Sequence, residues 1–221
     1  MTIEIAMSIS GFLFLLILVL NIPMAVFGNK LGWSEDDSGA KLQKISDDPK
    51  KLQIGIVFGL IEHVSVIALA ILLFIAFGPF SIILGIVWTI SRIGEGLFHI
   101  SNEINYSGLI KLARQYSDTS GADKKSLSDL ARAILQTKDS RFAWAIILWS
   151  IGTLAFSIVL VTYEVVPSII GWLGIVAGIV AFFVNQKKLV KPNYVIPNFI
   201  ALLSLSPIIF EVSIGVWLLF Y

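Results

Sequence analysis

Cysteine is missing from the chain altogether. Disulfides, thiolate metal sites and cysteine nucleophiles are therefore excluded. Histidine is scarce, with 2 residues, and charged residues make up only 14%. A soluble domain carries about 25% charged residues and about 45–50% apolar ones. Here the apolar share is 57% of 221 residues. Scarce charge with abundant apolar side chains is the composition of a chain embedded in a lipid bilayer. A net charge of +1 provides no basic field for a nucleic acid, which is not expected as a partner. GxSxG, HExxH, Walker and glycine-rich dinucleotide motifs are all absent. So is an inverted repeat of the kind that marks many transporters. No cofactor is expected.

What is present is a series of apolar runs, at about 8–27, 54–77, 80–100, 142–163, 168–184 and 195–220. Each is close to the roughly 20 residues a helix needs to cross a bilayer. The expected fold is all-α: a polytopic membrane protein with one transmembrane domain over 1–221, a bundle of six transmembrane helices. The first run is read as a retained helix rather than a signal peptide. Its leading segment MTIEIAMSIS has no Lys or Arg and carries Glu4, whereas a signal peptide starts basic.

Breaks between runs carry recognisable chemistry. Asp48-Pro49 sets an N-cap followed by proline at the first helical position. Gly78-Pro79 and Glu164-Val-Val-Pro167 are short turns. Pro207 predicts a kink, because its ring removes a hydrogen bond and crowds the preceding turn. Gly171, Gly174 and Gly178, and likewise Gly55 and Gly59, read as faces for close helix packing. The third helix can project beyond the membrane through the ISNEINYSGLIKLARQY segment, and later in the polar stretch 101–141 Ser126-Leu-Ser-Asp129 resembles a capping box. Leu127, Leu130, Ala131, Ile134 and Leu135 then form one apolar stripe. That predicts an amphipathic helix, either lying on the membrane surface or packed on neighbouring loops.

Six spans put segments 28–53, 101–141 and 185–194 on one side. All 16 Lys and Arg except Arg92 fall within them, while the opposite side carries Glu4 and Glu164. The positive-inside rule then predicts a multi-pass protein of the cell membrane with both termini extracytoplasmic.

Against this background Ile90–Glu103 stands out. Arg92, Glu95, His99 and Glu103 fall at i, i+3, i+7 and i+11, one stripe along a helix face. Charge is costly in lipid, so the stripe is expected to face the protein interior or a water-filled cavity. Glu62 and Glu95 are equidistant in sequence from Gly78-Pro79, with His63 and Arg92 close to their level. A helical hairpin about that turn predicts a cluster of Glu62, His63, Arg92 and Glu95 near mid-membrane, with His99 and Glu103 nearer the cytoplasmic surface. Glu211 in the last run is a second candidate partner for Arg92, whose guanidinium can grip a carboxylate with two parallel hydrogen bonds.

Three readings of these charges compete. In the first, Arg92 is neutralised by Glu95 and Glu211, and the network sets helix packing. In the second, Glu62, Glu95, His99 and Glu103 form a polar track for a small solute or proton. In the third, His63, His99, Glu62 and Glu95 hold a metal. A bis-histidine haem is disfavoured, since it requires the two rings to be opposed at one level.

Three motifs carry a family resemblance. They are Arg92-Ile-Gly-Glu95, Pro167 followed by Gly171-Trp172-Leu173-Gly174, and Pro207-Ile-Ile-Phe-Glu211 followed by Gly215-Val-Trp217-Leu218-Leu219. Together they resemble the domain-of-unknown-function 4386 family of six-helix bacterial and archaeal integral membrane proteins. The resemblance covers nearly the whole chain. It implies six helices and singles out Arg92, Glu95 and Glu211, and it implies no activity. His63 and His99 are not part of that pattern.

The leading functional expectation is a non-enzymatic membrane protein that binds or passes a small solute or proton. Arg92 is the charge anchor, Glu95 and Glu211 are its partners, and Glu62, His63, His99 and Glu103 supply further polar groups. The alternatives are a membrane-embedded metal-dependent enzyme and a structural subunit of a larger membrane complex. The lipid bilayer is the expected environment, and a homo-oligomer is compatible with it.

Overall fold

The structure is a computed structural model that describes residues 2–28, 38–191, 195 and 197–220. It is helical, with no strand among the described residues. In chain order the helices are α1 (Ile3–Pro23), α2 (Ser38–Asp47), α3 (Pro49–Phe77), α4 (Ile82–Ser117), α5 (Ala122–Thr162), α6 (Ser168–Val190), α7 (Asn198–Leu203) and α8 (Ser206–Phe220). A π-helical turn, Met24–Gly28, continues α1 directly after Pro23. Among the described residues, six helical stretches are long and apolar enough to cross a membrane: Ile3–Phe27, α3, α4, α5, α6 and Asn198–Phe220. The protein is thus an all-α, multi-pass membrane protein.

The breaks follow local chemistry. Asp48 caps α3, its carboxylate accepting from Lys51 N–H at 3.3 Å, with Pro49 at the first helical position. The turn between α3 and α4 centres on Gly78-Pro79, with Gly78 N–H donating to Phe74 O. At the end of α5, Glu164 takes a left-handed conformation with φ 51°, the geometry that commonly stops a helix.

Pro207 divides the last span into α7 and α8. Proline has no N–H to give to the carbonyl four residues back. Here that carbonyl belongs to Leu203, and the Ser206 hydroxyl donates to it at 2.6 Å. The kink is therefore accompanied by a side-chain bond in place of the lost backbone one.

Helices extend well into the segments expected to connect them. Residues 101–141 are helical apart from a short turn at 118–121, because α4 runs on to Ser117 and α5 begins at Ala122. No proline interrupts this stretch, and the buried face of α4 continues unbroken through Asn102, Tyr106, Leu109 and Ala113. The capping box at Ser126 is thus overridden by a start at Ala122, just after Gly121 with φ 68°. Likewise α6 continues past Val184 to Val190, and α2 forms within 28–53. Lys30 and the rest of 29–37 lie outside the described residues, as do 192–194 and 196.

The chain divides into two compact units. The first comprises Met1–Val19, His63–Leu97 and Ala143–Tyr221. Its core includes Phe14, Leu69, Leu73, Trp88, Phe156, Leu160, Phe210 and Ile214. Gly171 and Gly178 of α6 lie against α5: a Cβ would stand 2.5 Å from Val161 Cγ2 and 2.7 Å from Leu154 Cγ, respectively. Gly174 similarly abuts Ser157 on α5 and Phe210 on α8. The glycine stripe is thus a surface of close helix approach. Side chains pointing the other way, such as Ile83 at 72% and Ile169 at 71% exposure, suit contact with acyl chains.

The second unit comprises Leu20–Glu62 and Phe98–Phe142. Its core joins Leu42 and Ile45 of α2, Leu52 and Ile56 of α3, Tyr106 and Leu109 of α4, and Ala131 and Leu135 of α5. Leu127 and Ile134 pack against it. Of the two readings of the amphipathic stripe, the packed one describes this unit, with Leu130 alone left 51% exposed. Ser38 ties the start of α2 to α5, its hydroxyl donating to Ser128 O at 2.8 Å.

Candidate functional site

The buried face of α4 is where the intramembrane charges sit. Trp88, Arg92 and Glu95 recur every three or four residues and are buried, as are Asn102 and Glu103 further along. Ile86, Ile90 and Leu97, on the other faces, are exposed. The stripe noted in the sequence is therefore the inward stripe of this helix.

Within the first unit, Arg92 is 2% exposed and is one of the largest wholly enclosed side chains. Its Nη1 lies 2.7 Å from Glu95 Oε2, one turn on along α4. On the other side its guanidinium carbon stands 5.3 Å from the centroid of the Trp88 ring, also one turn away. A cation over an indole face gains about 2 kcal/mol or more when desolvated. The indole is itself held, its Nε1 donating to Ala70 O on α3 at 3.3 Å. The aliphatic stem of Arg92 passes over Gly152 of α5, where a Cβ would approach its Cγ to 3.3 Å and its Cδ to 3.4 Å. Arg92 is thus flanked by a carboxylate, an aromatic face and a bare stretch of helix backbone.

Its Nε makes no hydrogen bond among the described residues. A buried donor left without an acceptor costs about 1–3 kcal/mol, and more when charged. The ion pair offsets the charge of the guanidinium without using this donor.

His63 is buried on α3, 3% exposed. Its carbonyl lies against Gly96 of α4, where a Cβ would come within 3.2 Å of it. Glu211 of α8 is only partly buried and accepts a hydrogen bond from Trp149 Nε1 at 3.1 Å. The ion pair that the structure gives Arg92 is with Glu95, one of the two carboxylates the sequence offered.

The remaining candidates belong to the second unit. Glu62 and Glu103 are buried there, and His99 is half-buried with its ring edge-on to Phe142 at 5.6 Å. Gly59 makes room for Glu103, since a Cβ would stand 2.9 Å from its carboxyl carbon. Lys138 Nζ sits 4.6 Å from the Tyr106 ring centroid, and Asn102 Nδ2 donates to the Lys138 carbonyl at 3.3 Å. Among the described residues, no group of three or more His, Asp or Glu side chains is placed to hold a metal ion.

Two contacts escaped the sequence reading. Trp88 at i−4 from Arg92 was detectable, because helical spacing places it on the same face. The Trp149–Glu211 bond was not, since nothing local links residues on separate helices.

The chain belongs to the family described as Domain of unknown function (DUF4386), whose model matches residues 9–221. No curated protein and no solved structure matches it.

Proposed function

We propose that this protein binds or passes a small solute or proton at the Arg92 site of its membrane-spanning unit. The basic segments are taken as cytoplasmic and both termini as extracytoplasmic. One observation carries the reading. A permanently charged guanidinium is enclosed among spanning helices with a donor, Nε, that makes no hydrogen bond among the described residues. Ionisable side chains in such positions commonly mark substrate or proton routes. In this scheme Arg92 stays charged and presents Nε to an acceptor on the solute. Glu95 is the group that exchanges a proton or yields Arg92 to a competing carboxylate.

A second reading is favoured by the packing of the Arg92 stem on Gly152 and its stacking on Trp88. In that reading the pair serves only to fix helix positions. Purified protein in liposomes separates the two. Under an imposed pH gradient, wild type is expected to dissipate the gradient faster than empty liposomes, and Glu95→Gln to abolish the difference while remaining folded. For a solute route, tracer exchange of small carboxylates is expected to require Arg92 and to be lost in Arg92→Gln. If neither flux exceeds that of empty liposomes, the transport reading is overturned and the structural one stands.

A further inference from the structure

The second unit carries a groove unrelated to Arg92. It has a volume of 520 Å³ and is lined by Gln53, Ile56 and Val57 of α3 and by Ser107, Ile110, Lys111, Arg114 and Gln115 of α4. A smaller depression of 460 Å³ adjoins it along α3, sharing Gln53 and Val57 and adding Lys50, Ile54 and Phe58. Lys50, Gln53, Ile54 and Val57 fall at i, i+3, i+4 and i+7, so they form one continuous strip of helix surface.

The chemistry of this strip changes along its length. Lys50, Lys111 and Arg114 supply cationic groups, and Gln53, Ser107 and Gln115 supply neutral hydrogen-bonding groups. Ile54, Val57 and Phe58 then offer an apolar floor, with Val57 54% and Ile54 42% exposed. Among the described residues, no carboxylate lines either depression. On a spanning helix, a passage from basic to aliphatic residues within two turns marks the boundary between headgroups and acyl chains.

We infer that this groove is a binding site for an anionic glycerophospholipid of the surrounding membrane. Its phosphate is held by Lys111, Arg114 and Lys50, and one acyl chain lies along Ile54, Val57 and Phe58. The charge selects an anionic headgroup over a zwitterionic one. The apolar floor selects a lipid over a free phosphate compound. Arginine supplies paired donors to phosphate oxygens, and lysine supplies a mobile point charge.

The test is native mass spectrometry of the full chain in detergent, titrated with phosphatidylglycerol, phosphatidylcholine or glycerol 3-phosphate. Preferential retention of phosphatidylglycerol is expected, weakening as salt rises. Lys111→Gln with Arg114→Gln should lower that retention about tenfold, since two of the three basic groups facing the phosphate are lost and salt screens part of their attraction. Lys187→Gln with Lys188→Gln, an equal loss of charge on α6, should leave it unchanged. Four results would overturn the site: equal retention of the two lipids, competition by glycerol 3-phosphate at the same concentration as lipid, an equal loss in the α6 variant, or no loss in the groove variant. Should the groove variant misfold, Lys50→Gln alone is expected to give a smaller loss in the same direction, and no change there would count against the site.

Discussion

Trp149 Nε1 donates a hydrogen bond to Glu211 Oε1 at 3.1 Å, joining α5 to α8 across 62 residues of chain. An indole N–H can only donate, and a carboxylate is among the better acceptors it can find in a low-dielectric setting. Trp149→Phe keeps most of the ring volume and removes the donor. It should lower stability by about 1.5–3 kcal/mol, the range for hydrogen bonds to charged groups. Glu211→Gln retains an acceptor oxygen and should cost less. Thermal unfolding in detergent checks the order, and a Glu211→Gln cost equal to or above that of Trp149→Phe would contradict it.

The Arg92–Glu95 pair makes a sharper prediction. Removing one member of a buried ion pair costs about 3–5 kcal/mol, because the other is left as an uncompensated charge. Glu95→Met alone should therefore be severe, and Arg92→Met with Glu95→Met milder than the sum of the single changes. A double-mutant cycle measured by denaturant titration in micelles reads the coupling directly. Additive losses would show that the 2.7 Å contact carries no energy.

Two glycines should respond with opposite signs to the same substitution. A Cβ on Gly174 would collide with Ser157 and stand 2.6 Å from Phe210 Cε2. Gly174→Ala is expected to destabilise by about 1–3 kcal/mol, the usual cost of overpacking. Gly108 lies within α4 with nothing within 4 Å of its would-be Cβ. Gly108→Ala should stabilise by about 0.5–1 kcal/mol, since alanine gives up less backbone freedom in a helix. Melting temperatures moving in the same direction for both would refute the assignment of the α6 stripe to packing.

Glu164 holds a positive φ of 51° at the end of α5. A left-handed conformation costs an L-residue about 1–2 kcal/mol, and glycine escapes that cost. Glu164→Gly should raise stability by about 1 kcal/mol after allowing for glycine's greater freedom when unfolded. A lowered melting temperature would mean that the Glu164 side chain makes a contact worth more than the strain.

Composition and apolar run length alone dictated six spanning helices, because a bilayer admits backbone only where its hydrogen bonds close within a segment. Helical spacing also put Arg92, Glu95, His99 and Glu103 in one stripe expected to face inward, since lipid excludes those groups and a helix repeats its faces regularly; Arg92, Glu95 and Glu103 are buried and His99 is half-buried. Helix ends were legible at Asp48-Pro49, Gly78-Pro79 and Pro207, where one residue's covalent geometry decides. The bounds of the short turn between Ser117 and Ala122 were less legible. There the capping box points to a helix start at Ser126, and burial of Tyr106, Leu109, Ala131 and Leu135 in a second core carries α4 to Ser117 and starts α5 at Ala122. Which donor meets Glu211 from a separate helix, and which residues of α3 and α4 share one groove, were settled only by tertiary structure. Those contacts depend on how separate helices are rotated about their axes, a quantity fixed by the packing of all of them together and by no local stretch of chain.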